Sequence, residues 1–161
     1  MVNDKMIKDA VRAFDEKVGE PNSYKAILYV CLEGGAEELI YEAALQDDDA
    51  DSCEEITITG GAADNDFAIM TVSDFHICFY VLEPIRRGPV IWTRVVLPFE
   101  KILSVRVRKF LLFNTFKVNC AYSSEMFKLS IKISEKVLGI KEQKENIRIF
   151  QDILRARKHP V

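Results

Sequence analysis

A mainly β fold with helix at each end of the chain is what the sequence predicts, on three observations. From Glu37 onward apolar and polar residues alternate with a period near 2 for about a hundred residues, the spacing that sends successive side chains to opposite faces of a strand. Most connections between the alternating runs are short, which favours antiparallel neighbours. Before Glu37 and after Gly139 the apolar spacing changes to three and four, as on an amphipathic helix.

The first segment, Asp4 to Val18, places Ile7, Ala10, Val11, Phe14 and Val18 on one stripe, with Asn3 as N-cap and Gly19 then Pro21 as the stop. Its polar face mixes Lys8 and Arg12 with Asp9 and Asp15, so the stripe predicts core packing and not a membrane-surface helix. From Ser23 to Leu32 the recurrence of Tyr24, Ile27, Leu28 and Cys31 predicts a second short helix, although the β-prone Ile27 to Val30 leaves a strand open. Gly34 and Gly35 end it either way. Residues 1–35 therefore read as an N-terminal helical extension and residues 36–161 as the main domain.

Seven strands are expected in that domain: Glu38 to Leu45, Phe67 to Val72, His76 to Leu82, Val90 to Pro98, Leu103 to Phe110, Thr115 to Tyr122 and Met126 to Ile133. Between the first two lies the polar stretch Gln46 to Asp66, expected to be an exposed loop, with a small extra strand at Glu55 to Thr59. Turn chemistry marks the breaks at Arg86-Arg87-Gly88-Pro89 and at Tyr122-Ser123-Ser124-Glu125. The final helix, Lys141 to Arg157, carries Ile147, Phe150, Ile153 and Leu154 on one stripe, with Arg155, Arg157 and Lys158 where cations suit the dipole.

With 161 residues, 48% apolar and 29% charged, the chain is long enough for one domain with a sizeable core and is unlike disordered or low-complexity sequences. Its longest apolar run, Ala26 to Leu32, is far short of a spanning helix, and Asp4, Asp9, Asp15 and Glu16 stand where a secretory signal would be apolar, so a cytoplasmic location is expected. Cys31, Cys53, Cys78 and Cys120 are scattered without metal-ligand spacing and read as free thiols, Cys78 and Cys120 as small core hydrophobes. The net charge of −3 hides an asymmetry: residues 1–80 carry 18 Asp or Glu against 5 Lys or Arg, and residues 81–161 carry 7 against 17. The two halves should attract each other, or partners of opposite sign.

Alternation is cleanest in the last three strands. Leu103, Val105 and Val107, then Phe116, Val118, Cys120 and Tyr122, then Phe127, Leu129, Ile131 and Ile133 fall on one face, which should be core. The other face then carries Arg106, Arg108, Lys117, Lys128 and Lys132, a single-signed basic surface that Arg86, Arg87 and Lys109 would extend. Phe110 to Phe113, joining two of these strands, either folds back into the core or offers an apolar contact to a partner or bilayer.

No catalytic signature is present: there is no nucleophile elbow, zinc-protease helix, P-loop or dinucleotide fingerprint, and Gly34-Gly35 and Gly60-Gly61 read as turns. Of the two histidines, His76 opens a strand beside Asp74, where a turn-stabilising role is expected. The run Asp47-Asp48-Asp49-Ala50-Asp51 lacks the glycine and closing glutamate of a calcium loop, those positions being Ser52 and Ile58. No metal site or cofactor is expected.

Ala68 to Tyr80 (AIMTVSDFHICFY) resembles the apolar strand, turn and following strand of bacterial pleckstrin-homology-like (PH-like, GRAM-like) domains, and Val96 to Val105 (VLPFEKILSV) resembles that family's I-P-L-x-x-I-x-x-V segment. The resemblance covers about Glu37 to Arg157. It implies a bent, seven-stranded antiparallel barrel closed by the C-terminal helix, with Phe150 and Leu154 as its apolar plug. It also implies a bacterial source and a non-catalytic binding or adaptor role. The chain departs from the family at His76, where an arginine is usual, and in lacking the tryptophan of the eukaryotic closing helix. Where phosphoinositide-binding members place Lys and Arg in the first loop, this chain places Asp47 to Asp51, which argues against inositol phosphates.

The expected function is accordingly a non-enzymatic binding module whose partner is a protein or peptide, including another copy of the same chain. The alternative is a peripheral membrane module docking on anionic lipid through its basic face. Nucleic acid is disfavoured by the acidic overall balance and by the lack of aromatics among the outward cations.

Overall fold

A computed structural model describes residues 2–35, 37, 39, 66–83, 89–110, 115–122 and 127–157. Helix α1 spans Asp4–Val18: the Asn3 side chain accepts a hydrogen bond from the Met6 amide at 2.9 Å, and Gly19 ends the helix in the left-handed conformation with its N–H on the Asp15 and Glu16 carbonyls. Seven strands follow among the described residues: β1 (Ala26–Gly34), β2 (Asp66–Val72), β3 (His76–Leu82), β4 (Ile91–Pro98), β5 (Ile102–Phe110), β6 (Thr115–Tyr122) and β7 (Phe127–Ser134), and then helix α2 (Gln143–Ala156). They form one antiparallel sheet in the order β4-β3-β2-β1-β7-β6-β5. No pairing of β4 with β5 is described, so the structure shows a single sheet whose end strands meet through the 3-10 turn Phe99–Lys101.

The expected helix Ser23 to Leu32 is a strand instead, and a central one, paired residue for residue with β2 from Ala26↔Val72 to Leu32↔Asp66. The reason is burial on both faces: Ala26, Leu28, Val30 and Leu32 enter one core and Ile27 another. A strand buried on both faces has no polar alternation, and a continuous apolar run satisfies a helical template as readily as a strand one. The expected first strand, Glu38 to Leu45, lies outside the described residues apart from Leu39, which is buried and whose amide donates to the Gly35 carbonyl in a helix-type bond. The segment Gln46 to Asp66 lies outside them but for its last residue, which opens β2.

Between β1 and β7 the sheet opens. These strands pair only at Cys31↔Lys132, Leu32↔Ile131 and Gly34↔Ser130, with a bulge at Glu33. Nearer the start of β1, side chains of α2 take the place of a neighbouring strand. Gln143 accepts from the Tyr29 N–H at 3.1 Å and donates to the Tyr29 carbonyl at 2.7 Å, and Asn146 accepts from the Ile27 N–H at 3.3 Å. Buried backbone groups need partners, and here a helix supplies them. Gly35 marks the same corner: its φ is +86°, and a Cβ there would collide with the Lys128 carbonyl.

The inner face of the sheet forms the main core with α2, whose Phe150 and Leu154 are fully buried. Of the residues assigned to the core face of β5, β6 and β7, Val105, Phe116, Val118, Cys120, Leu129, Ile131 and Ile133 are buried and Val107 packs against them. Leu103 is the correction. The β5–β6 register shifts between Ile102 and Ser104, so Ile102 turns inward and Leu103 is 58% exposed. A second core lies on the outer face of β1, β2 and β3, where α1 packs Ile7 and Val11 against Ile27, Ile69 and Tyr80. Among the described residues no helix is long and apolar enough to cross a membrane.

Candidate functional site

The outer face of β5, β6 and β7 is as basic as its alternation predicted. Arg108, Lys117 and Lys132 are direct cross-strand partners, and Arg106, Arg108, Lys128 and Lys132 are exposed. Lys117 lies 3.4 Å from Glu33 on the β1 bulge, whereas Arg106, Arg108, Lys128 and Lys132 make no ion pair with a described residue. Directly opposite side chains have Cβ atoms about 5 Å apart, and like charges placed so are destabilising by up to about 1 kcal/mol per pair. Ser104, Arg106, Lys128 and Ser130 border a shallow hollow of about 410 Å³ on this face.

Lys109 does not join these cations. It sits opposite Phe116 with the parity of Val105 and Val107, and its ammonium lies 5.5 Å from the centroid of the Phe116 ring. Arg86, Arg87 and Phe113 lie outside the described residues, and Phe110 is described only as the last residue of β5.

A second constellation was not read from the sequence: a partly buried polar chain that fixes α1 to the sheet. His76 Nε2 lies 2.7 Å from Asn22 Oδ1, and the Asn22 amide nitrogen lies 3.0 Å from both Thr71 Oγ1 and Tyr80 Oη. The Tyr80 hydroxyl donates to the Asp15 carboxylate at 2.8 Å, which also accepts from Arg94 at 2.7 Å. Arg94 continues to the Glu20 carbonyl and carboxylate, each at 2.7 Å. Next to this chain is a cavity of about 450 Å³, lined by Val11, Arg12, Asp15, Pro21, Asn22 and Tyr24 among others. Burial raises the Tyr80 hydroxyl's pKa and lifts the Cys78 thiol to about 12, while burial and then the Arg94 charge hold the His76 imidazole below its ordinary value. At neutral pH these groups present a protonated thiol, a protonated phenol and a neutral imidazole already held by Asn22. The arrangement suits a structural clamp and offers no activated nucleophile. Asp15, expected on the polar face of α1, is buried instead: four residues after Val11, it lies on the face that meets the sheet, and that spacing is the signal by which it could have been found.

At its β1 end the basic face meets an aromatic cleft. Tyr29 and Phe67 stack with ring centroids 5.4 Å apart and planes 15° from parallel, and Phe67 is 46% exposed. With Lys132, Ser134, Lys136 and Leu138 they line a space of about 350 Å³. Among the described residues no group of three or more His, Cys, Asp or Glu side chains is placed to hold a metal ion. In comparison with known proteins, no family model, no curated protein and no solved structure matches this chain.

Proposed function

We propose that this chain is a non-catalytic, PH-like binding module that holds an acidic protein or peptide segment on the outer face of β5, β6 and β7. The observation that carries this reading is the unequal covering of the sheet's outer surface. Over most of β1, β2 and β3 it is covered by α1, while on β5, β6 and β7 it is exposed and carries Arg106, Arg108, Lys128 and Lys132. Cations set side by side in mid-strand oppose folding, and they gain favourable energy when carboxylates come to them. The PH-like part of the reading is supported by the order of the seven antiparallel strands and by a C-terminal helix seated where β1 and β7 part.

The test is fluorescence anisotropy of a labelled glutamate-rich peptide against the full chain, beside anionic and neutral vesicles. Binding should be strong at low salt and lost at about 1 M, where the Debye length is about 3 Å. It should also be lost on joint Arg106→Glu and Arg108→Glu substitution. Peptide binding indifferent to that charge reversal, or attachment to anionic vesicles without any to peptide, sinks the reading.

A further inference from the structure

The cross-strand register of the outer face carries a row from β5 to β2: Arg108↔Lys117, Lys117↔Lys132, Lys132↔Cys31 and Cys31↔Phe67. A row of cations thus ends on an exposed aromatic ring. Behind the ring, Tyr29 stacks in parallel and fixes its plane. Leu138 lines the same space, 80% exposed on the tight turn closed by the Ile140 N–H on the Val137 carbonyl at 3.0 Å. Gly139, with φ of +89°, lets that turn close. Lys132, Lys136 and Ser134 form a polar rim around the two apolar walls. A hollow with apolar walls and a cationic rim, continuous with a cationic row, matches a ligand that has one apolar group followed by negative charge.

We infer that the Tyr29–Phe67–Leu138 cleft is an anchor pocket, taking one aromatic or large aliphatic side chain of an acidic peptide segment whose carboxylates then meet Lys132 and Arg108, which flank the Glu33-paired Lys117. This rests on the binding-module reading above and adds the motif the module selects. A peptide fits better than a bilayer because the cations stand in mid-strand on a sheet face and the apolar group they adjoin is a cleft of the size that takes one side chain. Strands lie about 4.8 Å apart, so Lys132 is about 10 Å and Arg108 about 19 Å from Phe67 across the sheet. An extended chain advances about 3.3–3.6 Å per residue. The carboxylates should therefore begin about three residues from the anchor and end about six residues from it.

The experiment is selection of a random peptide-display library on the immobilised full chain, followed by anisotropy titration of the enriched peptides. Enriched sequences should combine one aromatic or large aliphatic residue with acidic residues about three to six positions away. Replacing that residue by serine, or introducing Leu138→Ser or Phe67→Ser into the protein, should weaken binding about tenfold. Leu138 sits at an exposed turn tip, so its variant keeps the test valid should Phe67→Ser perturb β2. Acidic peptides enriched without an anchor, or anchored binding indifferent to both variants, overturn the pocket and leave the binding module standing. If no acidic peptide is enriched, or only anionic vesicles bind, the pocket and the module reading fall together.

Discussion

The two halves of the sheet obey different rules. Through most of β1, β2 and β3 both faces are buried, one in the core shared with α2 and the other against α1, the outer face opening at the Tyr29–Phe67 end, and the strands read as nearly unbroken apolar runs. In β5, β6 and β7 only the inner face is buried and the strands alternate. Burial on both faces lets a strand contribute twice to the core but leaves it little free surface. Burial on one face leaves a row of positions that folding does not need. The difference locates the docking of α1 in one half and the cationic row in the other, with the Tyr29–Phe67 cleft on their border, and each prediction below tries to break that division.

The largest effect should come from the clamp that makes the first half two-sided. Arg94 and Asp15 are each about nine-tenths buried, and Arg94 bonds both Asp15 and Glu20. Removing one member of a buried, hydrogen-bonded ion pair leaves the other uncompensated and costs about 3–5 kcal/mol. Arg94→Ala should therefore shift the urea midpoint strongly downward. It should also raise hydrogen exchange in α1 before exchange in β6. A loss below about 1 kcal/mol, in the range of surface pairs, would mean that α1 is held by its other contacts, Ile7 and Val11 in the core and Asp4 and Lys8 at Lys141 and Glu142.

How much of this was legible in the sequence follows from the same division. The helix Asp4–Val18, its Asn3 cap and its Gly19 stop were readable because capping is local chemistry. So were the cations of the outer face, because a strand buried on one side announces its free side by alternation. Ala26 to Leu32 was misread because its cover comes from α1 and α2, both distant in sequence, and two-sided burial erases the period that separates strand from helix. Leu103 was misplaced by a single residue of register shift, which moves a side chain to the opposite face. Tyr29 meets Phe67, and Asp15 meets Tyr80 and Arg94, only through cross-strand pairing and helix docking, so no spacing within a segment could reveal the cleft or the clamp.

A smaller effect, of opposite sign, should appear in the second half. Arg108 faces Lys117 directly. Arg108→Glu turns a repulsive cross-strand pair into an attractive one and should stabilise the chain by about 0.5–1 kcal/mol. The same variant should lose acidic peptide. Gain of stability with loss of ligand is the expected signature of a position kept for recognition. A variant that loses both would show that the face is structural, and that something described only by its charge holds it together.

The smallest effect concerns pH and belongs again to the covered half. His76 is partly buried against Asn22, and burial, with the Arg94 charge behind it, lowers its pKa below the ordinary imidazole value of about 6.5. The folded state thus holds the neutral ring more firmly than the unfolded chain does. As pH falls below about 6.5 the unfolded chain takes up a proton that the folded protein refuses, and the contribution is lost progressively down to the folded pKa. Above about 6.5 it is fully present. Stability should accordingly fall with pH on the acid side of 6.5, and His76→Gln should flatten that slope in urea titrations at several pH values. Among the described residues no histidine lies on the basic sheet face, so peptide affinity there should follow salt through this window and not the charge of His76. If affinity and stability fall together with the imidazole's protonation, the clamp and the basic face are coupled, and the separation of the two halves fails.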